Sequence, residues 1–166
     1  RAFMIAGERL YPPDAVNFSI GEQRDFYNHY CAHFRKPRPS GVAVEDFSVG
    51  DIPCRRYCPQ GQGKALLLYL HGGGFVVGGL ESHDDVCAEI ADQARVETVA
   101  VEYSLAPEHV FPSALDECWT VLRELAKEKR PLLLAGDSAG ANLAAALCLR
   151  ARDEDGPDIA GQVLIY

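Results

Sequence analysis

The sequence has no surplus of basic residues: Lys and Arg number 16 against 24 Asp and Glu, a net charge of −8. Binders of nucleic acid or anionic membranes need a positive footprint, so neither partner is expected. No apolar run approaches the ~20 residues of a membrane span. The opening "RAFMIAGERLYPPD" lacks the apolar core and small-residue cleavage site of a secretory signal, and the chain does not begin with Met. Internal repeats and low-complexity tracts are missing as well. Cys54 and Cys58 have no second ligand pair, which excludes a zinc finger-like site. With Cys31, Cys87, Cys118 and Cys148 they sit among apolar neighbours. They read as small buried side chains, not as a disulfide framework, and point to a cytoplasmic location.

What is present is a regular rhythm. Phe26, Tyr30 and Phe34 recur at four-residue spacing, which predicts a helix over 21–34 ended by Pro37 and Pro39. Segments 42–47 and 52–58 read as two strands around Gly50-Asp51, and 59–64 as a polar loop. "ALLLYL" (65–70), "VETVAV" (96–101) and "LLLAG" (132–136) are continuous apolar runs, the mark of strands buried on both faces. "GQVLIY" begins one more. Between them lie three helical patterns. The first is opened by a Ser82–Asp85 capping box and runs to Ala94 with Val86, Ile90 and Ala94 along one face. The second follows Pro112 with Leu115, Trp119, Leu122 and Ala126 inward, and Lys127, Lys129 and Arg130 near its C-terminus. The third spans 139–152. Alternating strands and helices imply an α/β fold with a mostly parallel, doubly wound sheet, preceded by an antiparallel pair. A helical N-terminal segment (1–40) then precedes one α/β domain (41–166).

Two constellations carry chemistry. Gly136-Asp137-Ser138-Ala139-Gly140 is a G-x-S-x-G between a buried strand and a helix, where a sharp turn exposes a nucleophile and small flanking residues avoid clashes. His71-Gly72-Gly73-Gly74-Phe75 follows the 65–70 strand, and its glycines let backbone amides approach a ligand closely. Donors fixed in this way can hold the oxyanion of an acyl-transfer intermediate. The rival for this loop is a dinucleotide fingerprint, with Glu102 as the ribose acid. It is weakened by Val77 at the third glycine position and by a helix that starts only near Ser82.

These residues resemble the hormone-sensitive-lipase-like esterases of the α/β-hydrolase superfamily. "HGGGFVVGG" (71–79), "VEYSLAPEHVFPSALDE" (101–117) and "GDSAGANLA" (136–144) stand in that family's order over roughly 42–166. The resemblance implies an α/β-hydrolase fold with an N-terminal cap helix and Ser138 as nucleophile. It also implies the amides of Gly73, Gly74 and Ala139 as the oxyanion hole, with His71 bracing that loop. Tyr103, Glu108 and Pro112 match positions that stabilise the middle of the fold. The implied activity is hydrolysis of short- to medium-chain carboxylic esters, with a small-molecule ester as partner and no metal or organic cofactor.

One absence stands out against this background. His29, His33, His71, His83 and His109 all precede Ser138, whereas the fold uses the order Ser, then Asp or Glu, then His. Asp153, Glu154, Asp155 and Asp158 follow the serine but lie in a polar segment that reads as a solvated loop. His29 and His33 with Asp25 have a spacing metals can use, but they read as the polar stripe of an amphipathic helix. The expectation is therefore a truncated catalytic domain whose acid and histidine lie beyond Tyr166 or on a second chain. "GQVLIY" would otherwise leave an apolar, unpaired strand at the sheet edge. A receptor that lost the base and an amidase or peptidase with the same serine stay open, as does a homo-oligomer.

Overall fold

The computed structural model describes residues 10–61 and 63–166. The reading of residues 1–9 as free of a signal, and that part of the 1–40 segment, lie outside the described residues. A short 3-10 turn, Ala15–Asn17, leads into α1, Ile20–Phe34. Ser19 caps this helix: its Oγ accepts the Glu22 N–H at 3.3 Å, while the Glu22 carboxylate accepts the Ser19 N–H at 2.8 Å. Such a reciprocal box satisfies two amide donors left over at a helix start. It escaped the sequence reading, which began the helix at Gly21.

Strands β1 (Val42–Val49) and β2 (Ile52–Pro59) form an antiparallel hairpin. Then come β3 (Leu66–Leu70), α2 (Asp84–Ala94), β4 (Glu97–Val101), α3 (Ser113–Ala126), β5 (Leu132–Asp137), α4 (Ala139–Asp153) and β6 (Ile159–Ile165). The six-stranded sheet runs β1-β2-β4-β3-β5-β6. β2 meets β4 antiparallel, and the β4-β3-β5-β6 portion is parallel. This is the mostly parallel, doubly wound sheet expected.

Side-chain alternation divides β3 between two cores. Leu66, Leu68 and Leu70 join Val121, Leu122, Leu143 and Leu147 of α3 and α4. Leu67 and Tyr69 join Cys87, Ala88 and Ala91 of α2 on the opposite face. Each fully buried leucine contributes roughly 1.5–3 kcal/mol, and all five β3 residues are buried. β3 is therefore fixed firmly, and the loop that leaves its C-terminal end starts from a rigid point.

Two local expectations are corrected. The buried face of α2 is Asp84, Cys87, Ala88 and Ala91, while Val86 is exposed; small side chains allow the helix to lie close to the sheet. Ser82 does not cap α2, since no side chain caps it and His83 is the N-cap residue. The Ser82 hydroxyl is taken by Gly79 and His83, and the Asp85 carboxylate accepts the Lys36 N–H. Arg130, just past the end of α3, directs its guanidinium to the carbonyls of Gly63, Lys64 and Ala65 and to the Glu97 carboxylate.

An ion network fastens the segment after α1 to the sheet. Asp84, 2% exposed, receives Arg38 at 2.7 Å, Arg55 at 3.0 Å and the Tyr57 hydroxyl at 3.0 Å. Burial opposes its ionisation, but these donors outweigh it and hold the carboxyl below its ordinary range. Arg24 of α1 donates to the carbonyls of Val76 and Ala106, both at 2.9 Å, and pairs with Glu108 at 2.6 Å. The N-terminal helix is thereby tied to the glycine loop's far side.

Candidate active site

The parallel register sets Leu70 beside Gly136, so β3 and β5 release their following loops side by side. After β5 the backbone turns sharply at Ser138, with φ 51° and ψ −116°. A non-glycine residue in so sparse a region stores on the order of 1–3 kcal/mol. The turn is held by the Ser138 N–H donating to the Ile165 carbonyl at 2.9 Å and by the Ser138 carbonyl accepting the Asn142 N–H at 3.0 Å. Ser138 is exposed, and among the described residues its hydroxyl has no hydrogen-bond partner. The glycines two residues either side are explained by crowding. A Cβ at Gly140 would overlap the Leu70 carbonyl oxygen, and one at Gly136 would lie 2.6 Å from the same atom.

The loop after β3 bends back on itself. Gly73 has φ 123° and Gly74 φ 61°, and the Gly73 carbonyl accepts the N–H groups of Val76 and Val77 at 3.0 Å each. A side chain at Gly73 would overlap the Val77 carbonyl, whereas one at Gly74 would meet nothing within 4 Å. Among the described residues the amides of Gly73 and Gly74 meet no acceptor. Ala139 opens α4, so its amide belongs to the helix start, where donors lack intrahelical partners. Loop and turn are joined directly, because the Gly72 N–H donates to Asp137 Oδ1 at 3.0 Å. Such free amides, on a loop bonded to the turn that carries the exposed Ser138, can receive a developing oxyanion.

His71 lies beneath the loop. Its ring stacks on Tyr103 at 4.1 Å between centroids, and the Tyr103 hydroxyl donates to the His71 carbonyl at 2.6 Å. His71 Nδ1 lies 2.7 Å from the Gly72 carbonyl and so carries the ring proton. Burial pushes its pKa down to about 4, which leaves the ring neutral near pH 7. Among the described residues none of the other histidines is bonded to Ser138. His29 Nδ1 is 2.7 Å from the Asp25 carbonyl, and His33 packs edge-on against Phe34. His109 lines a neighbouring cavity, and His83 Nε2 is 3.3 Å from Asp137 Oδ1. Of the acids after the serine, Asp153 pairs with Arg152 and Glu154 with Arg150, all four outside the core. Among the described residues no three His, Cys, Asp or Glu converge as metal ligands.

Beside the glycine loop lies a cavity of about 340 Å³. Gly74, Phe75, Val110, Leu115, Asn142 and Leu143 form much of its wall. The dinucleotide alternative loses its support here: α2 starts only at Asp84, and the Glu102 carboxylate accepts the Leu80 N–H at 2.6 Å. Sequence reasoning missed the polar cluster of Tyr69, Ser82, His83 and Asp137 below the loop. Asp137 stood inside the serine motif, but nothing local linked it to a histidine on another element.

Comparison with known proteins agrees with this geometry. Residues 67–166 match the family model described as alpha/beta hydrolase fold. The esterase LipI of Mycobacterium tuberculosis is 39% identical over 147 residues, covering 80% of this chain and 46% of LipI. The carboxylesterase NlhH of the same organism is 39% identical over 139 residues, covering 75% of this chain and 44% of NlhH. The chain thus spans less than half the length of these curated relatives. Among solved structures, a Pyrobaculum calidifontis esterase superposes with TM-score 0.84 at 32% identity, over 98% of this chain and 57% of its own. A hormone-sensitive lipase from a metagenome library gives 0.85 at 33% identity, over 98% and 54%. Among the described residues no helix is long and apolar enough to cross a membrane. With a sharp strand-to-helix turn at Ser138, a glycine loop joined to it and these relatives, the chain belongs to the α/β-hydrolase fold family, in its hormone-sensitive-lipase-like esterase branch.

Proposed function

We propose that this chain forms the nucleophile half of a serine carboxylesterase. Ser138 Oγ attacks the ester carbonyl, and the amides of Gly73, Gly74 and Ala139 receive the oxyanion. The alcohol leaves, and water then releases the acyl group from Ser138. His71, neutral and stacked on Tyr103, braces the glycine loop and exchanges no proton. The observation that carries this reading is the strained, exposed Ser138 turn joined to the glycine loop through Gly72 and Asp137.

The general base lies outside these residues. Among the described residues no upstream histidine is bonded to Ser138, and the fold's order places acid and histidine after the serine, so a segment beyond Tyr166, or a second chain, supplies the acid and the histidine. Within the 1–40 segment, α1 acts as part of a cap, an arrangement supported by the contacts of Arg24 with Val76 and Ala106. The cavity sits at the low end of the ~300–1,000 Å³ usual for ligand pockets, which supports short- to medium-chain acyl groups. The six free thiols support a cytoplasmic location.

The test uses the chain extended to the length of its relatives, assayed on p-nitrophenyl esters. Ser138→Ala should lower kcat about a million-fold and leave the folded state intact, because the turn accepts a smaller side chain. Turnover near the wild-type rate in that variant would defeat the proposal.

A further inference from the structure

Asp137 has no part in the chemistry just described, yet one of its oxygens gathers three donors. Oδ1 accepts the Tyr69 hydroxyl at 2.9 Å and the Gly72 N–H at 3.0 Å, and His83 Nε2 lies 3.3 Å away. Gly72 is where the glycine loop begins. A Cβ there would overlap Asp137 Oδ2, so only glycine permits the approach.

The third donor leads to the other end of the same loop. His83 Nδ1 lies 2.9 Å from Ser82 Oγ, which in turn accepts the Gly79 N–H at 2.9 Å. The proton order along this chain follows from what each group can do. An ionised Asp137 only accepts, so His83 Nε2 carries a proton and donates it. With the ring neutral, Nδ1 is bare and accepts a hydrogen bond from the Ser82 hydroxyl. With the ring charged, Nδ1 donates and Ser82 turns its proton to the Gly79 carbonyl, 3.0 Å away. The chain of bonds survives both states. Burial opposes ionisation of Asp137, but His83, Tyr69 and the Gly72 amide outweigh it and hold the carboxyl low.

We propose that Asp137, with His83 and Ser82, is a positioning device that ties both ends of the oxyanion loop to the residue preceding the nucleophile. This rests on reading Ser138 and the loop as the catalytic centre. Its consequence is geometric. The spacing between Ser138 Oγ and the Gly73 and Gly74 amides is set by one shared acceptor, so a shift of the turn carries the loop with it. Misplacement by about 1 Å costs roughly a hundred-fold in rate, which gives such a tether its purpose.

The test compares Asp137→Ala, Asp137→Asn and Ser82→Ala in the extended chain by two readouts: amide hydrogen exchange over residues 71–80, and kcat and KM on a p-nitrophenyl ester. Asp137→Ala should speed exchange over 71–80 roughly ten-fold, the equivalent of one lost hydrogen bond. It should also lower kcat about a hundred-fold with KM little changed. Asp137→Asn keeps an acceptor oxygen in place, so it should retain most of the protection and of kcat. Ser82→Ala should loosen the Gly79 end alone. The tether is wrong if exchange over 71–80 is unaltered in Asp137→Ala. It is equally wrong if Asp137→Asn loses as much as alanine in both readouts, or if only KM moves. Should Asp137→Ala fail to fold, the asparagine and Ser82→Ala variants decide. Should the extended chain hydrolyse no ester, the activity reading falls, while the exchange comparison still judges the tether.

Discussion

Two adjacent glycines show how far one residue's surroundings govern its role. Alanine at Gly73 must overcome both φ 123° and overlap with the Val77 carbonyl, so it should rebuild the 73–77 turn. Alanine at Gly74 adopts φ 61° with open space around its Cβ, at a cost of roughly 1–2 kcal/mol. Gly74→Ala should therefore fold with a modest drop in Tm and lose kcat by crowding the oxyanion. Gly73→Ala should lose more of both; paired thermal melts and kcat values check the order, and equal losses would contradict it. His71 makes a further test. Burial lowers its pKa from 6.5 to about 4, so below pH 6.5 the unfolded chain takes up a proton that the folded chain refuses. The stability contributed by keeping this ring neutral is complete above that pH and is lost as pH falls toward 4. His71→Gln should flatten the fall in Tm between pH 6.5 and 4, and a fall as steep as in the wild type would contradict the assignment.

At the scale of elements, order and type were legible in the sequence because apolar periodicity reports them directly. The runs at 65–70, 96–101 and 132–136 became the central strands, each within a residue or so of expectation. What periodicity could not supply was which face of α2 packs, because Val86, Ile90 and Ala94 form an apolar stripe just as regular as the one actually buried. Close approach to the sheet selected Cys87, Ala88 and Ala91 instead. The Ser82–Asp85 pattern failed for a related reason: tertiary partners in the glycine loop and at Lys36 claimed both side chains. Within the site, Ser138 and the glycine loop were readable from local motifs. The link from Asp137 to His83 joins distant parts of the chain and has no local signature. Asp84 similarly gathers Arg38 from the stretch after α1 and Arg55 and Tyr57 from β2. Asp84→Ala leaves Arg55 buried with fewer partners and should cost about 3 kcal/mol. Urea denaturation should show this as a lower midpoint at unchanged slope, and a midpoint shift near zero would mean that Asp46 and Glu81 suffice for Arg55.

For the molecule as a whole, the sheet brings two loops together from β3 and β5, and the chemistry assigned to them is shared between a serine and backbone amides. β6 pairs with β5 among the described residues and carries exposed Val163, Leu164 and Ile165, a surface suited to further sheet. On this account residues 1–166 alone should give only trace ester hydrolysis, because oxyanion donors without a base retain a small part of the acceleration. Extension to the length of the relatives should restore turnover. The most direct measurement is a map, by peptide mass, of where a fluorophosphonate attaches to the extended chain. The account predicts one phosphonylated residue, Ser138, and no labelling of Ser138→Ala. Attachment at another serine, or labelling that persists in the alanine variant, would contradict it.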